Sequence, residues 1–278
     1  MNKVCYNGKY LSESDFSLSH QNRAFRYGDA FFETIRCQFG TPIFWEEHYF
    51  RIAGSFLVMK MSIPKEFSIE NFQNLIKKLL VENNLNNQVA RIRISFYRNG
   101  KGYYLPEKNS VDFIIESDSL TEEYYKLSKK GLKLGVYKEN LISNNNLTNL
   151  KSSNRLLNVL ASIYSDQNNY DESLLINNQN NIVEATSGNI FIILNDLIIT
   201  PPLSDGCIDG VVRKVLLSKS KFNIQEKSIS FSDILNAQEI FITNVIYGVR
   251  SVSDFKNNIF KNNISREICD FLNETFLV

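Results

Sequence analysis

Alternating apolar and polar residues predict strands at several places in the chain. In residues 89–98, Ile92, Ile94 and Phe96 alternate with two arginines and a serine. This period of two predicts a half-buried strand whose other side faces solvent or a ligand. Near the N-terminus, Asn7-Gly8 is a dipeptide that type I′ turns favour, so a hairpin is expected around it.

Helical spacing of apolar residues appears between these strands. One stripe, at i, i+3, i+4, i+7 and i+8, predicts a helix near residues 69–81; it consists of Phe72, Leu75, Ile76, Leu79 and Leu80. A second stripe predicts a helix after residue 155 and comprises Leu156, Val159, Leu160 and Ile163. Further helices are expected from about 46 to 60 and over 264–276. Another helix should begin near Gly210, with Val211, Val215 and Leu216 pointing inward.

The order of these elements predicts an α/β protein with two domains and mixed sheets. Further strands are expected at 30–38, 42–45, 111–117, 132–138, 173–177, 182–185, 188–194 and 239–244, with a turn at Gly40-Thr41 between the first two. The polar stretch 118–130 is the expected link. It separates an N-terminal domain, 1–117, from a C-terminal domain, 131–278.

Charge and cysteine content narrow the functional classes. The chain has 278 residues and a net charge of +1, with no basic block, so neither nucleic acid nor a membrane surface is an expected partner. Four separated cysteines and two histidines predict free thiols in a reducing cytoplasm and no metal site. The N-terminus lacks the apolar core of a signal peptide, and no apolar run is long enough to span a membrane.

Common catalytic motifs are missing from the chain. There is no phosphate-binding Walker loop, no dinucleotide fingerprint and no G-x-S-x-G nucleophile turn. No cysteine lies near a plausible histidine base in the sequence. What remains is Lys151, in the unusual context TNLKSSNRL.

Six segments resemble the ordered motifs of class IV, or fold-type IV, enzymes that depend on pyridoxal 5′-phosphate (PLP). TNLKSSNRLLNVLA, IVEATSGNIFII and TPPLSDGCIDGVVRKVL resemble three of these motifs, and RYGDAFFETIR, HYFRI and ITNVIYGVRSV resemble three more. Each is weak alone, but six in the right order across most of the chain are specific. The resemblance implies the D-amino acid aminotransferase-like two-domain fold and PLP as the cofactor.

Residue roles follow from the resemblance. Lys151 matches the lysine that forms the Schiff base with PLP and moves a proton at the substrate carbon. Glu184 matches the carboxylate that keeps the pyridine nitrogen protonated. Arg51 matches the arginine that holds the phosphate, a group that guanidinium can bind through two parallel hydrogen bonds.

The resemblance implies further cofactor contacts at turns and at a helix start. Asn189 is expected to fix a turn and Ile208 to pack on the ring. The amides of Gly210, Val211 and Val212 are expected at the phosphate, as helix N-termini bind anions. A second phosphate-side loop comprises Thr243, Asn244 and Val245.

Two reactions compete on this scaffold. The lyase branch releases pyruvate from 4-amino-4-deoxychorismate and gives 4-aminobenzoate for folate synthesis, and it resembles this chain in K-S-S-N-R-L, where branched-chain aminotransferases carry tyrosine at Arg155. The Arg-x-His pair of D-amino acid aminotransferases is absent from the corresponding stretch, YRNGKGYY. The loop TNVIYGV has the shorter lyase form, and the segment FETIR departs from the branched-chain FEGIR. A lyase is therefore expected first, an amino-acid transaminase second, and a non-catalytic PLP-binding relative third.

The lyase substrate carries two carboxylates, so cationic or phenolic partners are expected. The candidates are Tyr27, Arg98, Lys101, Tyr103 and Tyr104, although an exposed hairpin with ordinary surface charges explains most of them nearly as well. The resemblance also implies a homodimer in which each subunit helps complete the other's site. Aromatic-rich stretches in the first domain, AFRYGDAFF and IFWEEHYF, are consistent with a covered surface.

Overall fold

A computed structural model describes residues 2–277. The chain divides into two compact units. The first extends to Glu123 and includes Leu150–Asn154, and the second contains Tyr124–Asn149 and the residues from Arg155 onward. The expected division placed Lys151 in the C-terminal domain, whereas its segment packs with the first unit.

The first unit is an antiparallel sheet of six strands, with three helices among its described residues. The strands, in the spatial order β2-β1-β6-β5-β3-β4, are β1 (Lys3–Tyr6), β2 (Lys9–Ser12), β3 (Ala30–Gln38), β4 (Thr41–Pro42), β5 (Val89–Arg98) and β6 (Val111–Ser119). The helices are α1 (Arg23–Tyr27), α2 (Trp45–Val58) and α3 (Ile69–Glu82), and a 3₁₀ turn covers Glu13–Asp15.

Packed aromatic rings fill the core between this sheet and α2 and α3. Phe31, Phe56, Phe72 and Phe96 are at most 1% exposed, and Phe31 stacks on Phe96 with centroids 5.0 Å apart. The predicted stripe of α3 is confirmed, because four of its five members are buried and Leu75 is half-buried. Stacking and edge-to-face contacts of this kind add to the gain from burial.

The second unit is a mixed sheet with four helices among its described residues. The strands are β7 (Leu132–Ile142), β8 (Glu172–Asn177), β9 (Ile182–Ala185), β10 (Asn189–Leu194), β11 (Leu197–Thr200), β12 (Ile224–Glu226), β13 (Glu239–Asn244), β14 (Gly248–Phe255) and β15 (Asn258–Ile259). The helices are α4 (Leu156–Gln167), α5 (Val211–Lys219), α6 (Phe231–Asn236) and α7 (Asn263–Phe276), and a 3₁₀ turn covers Leu203–Asp205. The strand order is β12-β11-β10-β13-β14-β7-β8-β9, with β15 added to β14.

The expected α/β class with mixed sheets is confirmed. In the second unit β7 runs parallel to both β8 and β14, and β10 is antiparallel to β11 and β13. The hairpin at Asn7-Gly8 is present, with positive φ at both residues. Helix α5 begins after Gly210 and buries Val211, Val215 and Leu216 as expected.

Local predictions failed around residues 39–45. The turn lies at Phe39-Gly40, which have positive φ, and not at Gly40-Thr41. Strand β4 covers only Thr41–Pro42, and α2 begins already at Trp45, where a strand was expected. Glu46 and Glu47 explain this start, because acidic side chains in a first turn stabilise the helix N-terminus. Strand β6 likewise continues to Ser119, into the expected link.

The apolar stripe of α4 is on the exposed side of its helix. Leu156, Val159, Leu160 and Ile163 are 38–69% exposed, while Ala161 and Ser165 form the buried side. Helical spacing identifies which residues share a face, but it does not identify what covers that face.

Two buried arginines of the first unit share one carboxylate. Nε of Arg23 lies 2.8 Å and Nε of Arg98 2.9 Å from Oδ2 of Asp29, and both arginines are less than 10% exposed. Arg98 also donates to the carbonyl oxygens of Met59 and Lys60. Asp29 therefore neutralises charge in a region where an unpaired cation is costly.

We expect Asp29→Asn to lower the free energy of unfolding of the first unit by about 3 kcal/mol, because two buried guanidinium groups lose their anion. Urea unfolding followed by the fluorescence of Trp45, the single tryptophan, reports on this unit. Asp118→Asn is the control: it breaks the exposed pair with Arg91 and should cost less than about 1 kcal/mol. Equal effects of the two substitutions would contradict the assignment.

Candidate active site

Lys151 is held by an added strand segment at the free edge of β3. The amide of Phe32 donates to the carbonyl oxygen of Lys151 at 3.0 Å, and the amide of Ser153 donates to that of Ala30 at 2.8 Å. The Lys151 Nζ lies 4.7 Å from the centroid of the Phe32 ring. Backbone pairing thus fixes the direction of a half-buried lysine side chain.

A close approach of backbone and side chain supports this segment. Gly28 has φ +61°, and a Cβ atom there would lie 2.0 Å from Oδ1 of Asn154. Nδ2 of Asn154 in turn donates to the Gly28 carbonyl oxygen at 3.3 Å. Any other residue here would adopt an unfavourable φ and would have to displace the Asn154 side chain, so glycine is favoured.

Arg51 projects from α2 onto a buried carboxylate. Its Nε donates to Oε2 of Glu33 at 2.9 Å, and its terminal NH2 group pairs with Oε1. His48, one turn earlier on α2, is fully buried, with Nδ1 3.1 Å from the same carboxylate but out of line for a hydrogen bond. Sequence reasoning missed Glu33, although its place in FETIR beside two aromatic residues marked it as a buried charge.

The pKa values of Glu33 and His48 are shifted by burial and by the neighbouring charges. Burial by itself would raise the pKa of Glu33, but the charge of Arg51 holds that pKa well below its usual range. Burial lowers the pKa of His48, so its ring is neutral at physiological pH. Glu33 therefore orients the Arg51 guanidinium as an ionised partner.

In the second unit, Glu184 and Asn189 hold the backbone of Ile208 from both sides. The Ile208 amide donates to Oε2 of Glu184 at 2.9 Å, and Nδ2 of Asn189 donates to the Ile208 carbonyl oxygen at 2.8 Å. Both side chains are buried. Asn149 supports the same loop through donations from its amide to the carbonyl oxygens of Leu203 and Cys207.

The start of α5 is suited to an anion. The N-cap is Gly210, and a Cβ atom there would lie 1.9 Å from Oδ1 of Asn189, so any larger residue would have to displace the Asn189 side chain. Val211 and Val212 follow, and the first turn carries no acidic side chain. The amides of a first helical turn have no intrahelical acceptor and therefore favour a bound phosphate.

A buried carboxylate that sequence reasoning missed orders the turn between Glu184 and Asn189. Glu172 accepts hydrogen bonds from the Thr186 hydroxyl at 3.0 Å and from the Ser187 amide at 3.1 Å, and it pairs with Arg250. Glutamate at the start of a buried strand was its only signal in the sequence.

The loop after β13 contains an unsatisfied buried hydroxyl. Oγ1 of Thr243 is buried without a hydrogen-bond partner among residues 2–277. Oδ1 of Asn244 accepts from the amides of Ile246 and Tyr247, and the Val245 carbonyl oxygen accepts from Tyr125. An orphaned hydroxyl here, together with the free amides of α5, fits a phosphate group that supplies the missing acceptors.

The expected substrate residues have different surroundings. Arg98 donates to Asp29, to Asn109 and to two carbonyl oxygens. These contacts hold the first unit together, so Arg98 is not assigned to the substrate site. Tyr103 and Tyr104 are more than 80% exposed, and Lys101 is exposed as well. Tyr27 lies near them, with its ring centroid 5.8 Å from that of Tyr104.

Several known proteins are similar to this chain over most of its length. The family model of class IV amino-transferases matches residues 30–255. Aminodeoxychorismate lyase of Vibrio harveyi is 27% identical over 84% of this chain and 85% of its own. A putative branched-chain-amino-acid aminotransferase of Methanocaldococcus jannaschii is 27% identical over 99% and 95%. A branched-chain aminotransferase structure from Thermoproteus uzoniensis superposes with a TM-score of 0.89, at 19% identity, over 98% of this chain and 94% of that one.

The fold is that of the fold-type IV aminotransferases, as expected. The chain belongs to the class IV aminotransferase family. It is an enzyme that depends on PLP, the cofactor of this family. No helix within residues 2–277 combines the length and apolar character that crossing a membrane requires.

We expect Arg51→Ala to weaken PLP binding by roughly 10- to 150-fold, because one charged hydrogen bond contributes about 1.5–3 kcal/mol. Titration of the apoenzyme with PLP measures this change. The substitution also removes the guanidinium that pairs with the buried Glu33 carboxylate. The double variant Glu33→Ala/Arg51→Ala is therefore the matched control. It removes the unpaired charge and should recover stability but not PLP affinity. Recovery of affinity in the double variant would show that Arg51 acts only through folding.

Proposed function

We propose that this enzyme is a lyase that releases pyruvate from 4-amino-4-deoxychorismate and leaves 4-aminobenzoate, a folate precursor. The observation that carries the proposal is Arg155, four residues after Lys151, where branched-chain aminotransferases carry tyrosine. The similarity to the Vibrio harveyi lyase over most of both chains supports it. The four free, buried cysteines suit a reducing cytoplasm, where we place the reaction.

Arg155 lies in the electrostatic range of Glu184. Burial lowers the pKa of its guanidinium, and the negative charge of Glu184 acts in the opposite direction, because the cation and the anion attract each other. An arginine is always charged at neutral pH, whereas a tyrosine at this position is neutral. The substitution therefore changes the charge beside the proposed pyridine partner.

The proposed roles divide between binding and proton transfer. Bound PLP supplies an electron sink for the carbon that carries the substrate amine. Arg51, Thr243 and the first amides of α5 would bind its phosphate, and Glu184 would hold the proton on the pyridine nitrogen. Lys151 would carry the cofactor and supply the amine that moves the substrate proton.

Lys151 Nζ would remove the proton from the substrate ring carbon that bears the amine. The carbon–oxygen bond to the enolpyruvyl group then breaks, and the ring becomes aromatic. The departing group takes up a proton at its methylene carbon and leaves as pyruvate, so the atoms of substrate and products balance. A transaminase would instead release a keto acid and pass the amino group on to an acceptor.

An amino-acid transaminase is the alternative, and the similarity to the Methanocaldococcus jannaschii protein over nearly the full length of both chains favours it. The two reactions differ in their products. Incubation of the holoenzyme with 4-amino-4-deoxychorismate should yield 4-aminobenzoate and pyruvate in equal amounts without an amino acceptor. Keto-acid formation from amino acids without any 4-aminobenzoate would establish the transaminase.

We expect Lys151→Ala to abolish turnover, because no other amine is held at this position to carry the cofactor and move the proton. In the wild-type protein, borohydride should remove the visible absorbance band and attach the reduced cofactor to the peptide that contains Lys151. Lys133→Ala is the matched control, since Lys133 also lies over an aromatic ring, that of Tyr170. Near-normal activity of Lys151→Ala, without added amine, would refute the assignment.

We also propose a homodimer in which the exposed face of α4 lies in the interface. Most rings in the aromatic-rich stretches, such as Phe31 and Trp45, fill the core of the first unit and need no partner, although Phe25 is 80% exposed. The four exposed aliphatic residues of α4 form a more continuous apolar face. Such faces mark interaction surfaces, and a two-fold dimer places the same face on both subunits.

The wild-type protein should have twice the monomer mass of 32.1 kDa by light scattering at micromolar concentration. Val159→Glu should shift it towards the monomer, because a charge in an apolar interface is poorly solvated. Lys77→Gln on α3, at an exposed position, makes the net charge more negative by one as well and controls for the change in charge. A fully active wild-type monomer would exclude both the dimer and a site shared between subunits.

A further inference from the structure

The loop after β13, residues 243–247, contains a buried hydroxyl that no group of the described chain satisfies. Oγ1 of Thr243 is the orphaned atom among residues 2–277. The neighbouring Asn244 side chain is already used at both ends. Its Oδ1 accepts from the amides of Ile246 and Tyr247, and its Nδ2 donates to the Ser187 carbonyl oxygen at 3.1 Å. What this loop offers to a phosphate therefore depends on how its backbone directs Thr243.

Tyr125 contacts this loop near both of its ends. Its hydroxyl donates to the Val245 carbonyl oxygen at 2.8 Å, and its buried ring lies against Gly248, where a Cβ atom would collide with it. The Ile246 amide belongs to the same planar peptide unit as the Val245 carbonyl and donates to Asn244 at 3.0 Å. That peptide unit is therefore held from both sides and cannot rotate alone.

The C-terminal helix α7 holds Tyr125 in turn. The Tyr125 amide donates to Oδ1 of Asn273, and Nδ2 of Asn273 donates to the Tyr125 carbonyl oxygen, both at 2.9 Å. Sγ of Cys269 lies 3.4 Å from the same oxygen and adds a weak hydrogen bond. At the other end of α7, Glu239 accepts from the amides of the first turn, including that of Asn263 at 2.7 Å.

These contacts form a closed frame around the loop. Glu239 is the first residue of β13, and β13 leads to the loop. Tyr125 connects the loop to the end of α7, and α7 returns to Glu239. A loop braced in this way loses its conformational freedom when the protein folds and not when a ligand binds, so the ligand binds more tightly.

We propose that Tyr125 is a positioning residue for the cofactor phosphate, because its hydroxyl fixes the Val245 peptide unit and with it the direction of Thr243. The inference rests on the proposed function, since it takes Thr243 as a phosphate ligand. It adds a residue that acts through the loop and takes no part in proton transfer.

Pyridoxal provides the test, since it has the ring and aldehyde of PLP but no phosphate. Titration of the apoenzyme with each compound measures the preference for the phosphorylated form. We expect Tyr125→Phe to lower that preference roughly 3- to 10-fold, as one neutral hydrogen bond contributes, and to leave the affinity for pyridoxal unchanged. A purely structural role would lower both affinities together or neither.

Tyr10→Phe is the matched control, because the Tyr10 hydroxyl also donates to a main-chain carbonyl oxygen, that of Leu75 at 3.1 Å, in the first unit. It should leave the preference unchanged. Asn273→Ala should lower the preference, and the double variant Tyr125→Phe/Asn273→Ala should be no worse than Tyr125→Phe alone, since Asn273 acts through the hydroxyl. An unchanged preference in Tyr125→Phe, or a larger loss in the double variant, would overturn the proposal.

Thr243→Val separates failure of this inference from failure of the phosphate site. A preference that falls in Thr243→Val but not in Tyr125→Phe would overturn the role of Tyr125 alone. A preference unchanged in Thr243→Val would place the phosphate elsewhere and overturn both. The lyase proposal is judged by its products, and because the titrations contain no substrate, keto-acid formation without 4-aminobenzoate would refute the lyase while a Tyr125-dependent preference still supported the positioning role.

Discussion

The alternation of side chains along β3 is the constraint on which the first unit depends. Phe31 and Glu33 point to the helical layer, where one joins the aromatic core and the other holds Arg51. Phe32 points to the opposite face, where Lys151 and Arg93 lie beside its ring. A shift of one residue in the register would exchange the two faces and bury the wrong groups. The lysine segment is attached to the same strand by backbone hydrogen bonds, so core and chemistry share one register.

Buried charge is organised in pairs, and this explains why some arginines are structural and others are available for ligands. Arg98 is committed to Asp29, and Arg51 is oriented by an ionised Glu33. A buried ion pair contributes little net stability, but loss of one partner is costly. Such pairs therefore define geometry more than they add stability. Arg93, by contrast, has no carboxylate at salt-bridge distance within residues 2–277 and lies over the Phe32 ring.

Backbone groups dominate the anion-binding part of the second unit. Glu184 and Asn189 hold the two ends of the Ile208 peptide unit, and Gly210 allows the chain to pass close to Asn189 before α5 begins. Side chains thus position the amides that would bind a phosphate in the proposed site. Because amides are the proposed ligands, the valines that follow Gly210 can be apolar and still belong to that site.

The sequence alone determined the α/β class, most elements and the family, because periodicity and six ordered motifs are local properties of the chain. It also identified Lys151, Glu184 and Arg51 as candidate site residues. It could not show that Arg98 is bound to Asp29, or that the α4 stripe is exposed. Nor could it place Arg93 beside Lys151. Those facts depend on which distant segments meet, and an arginine looks the same in sequence whether its partner is a carboxylate, an aromatic ring or a substrate.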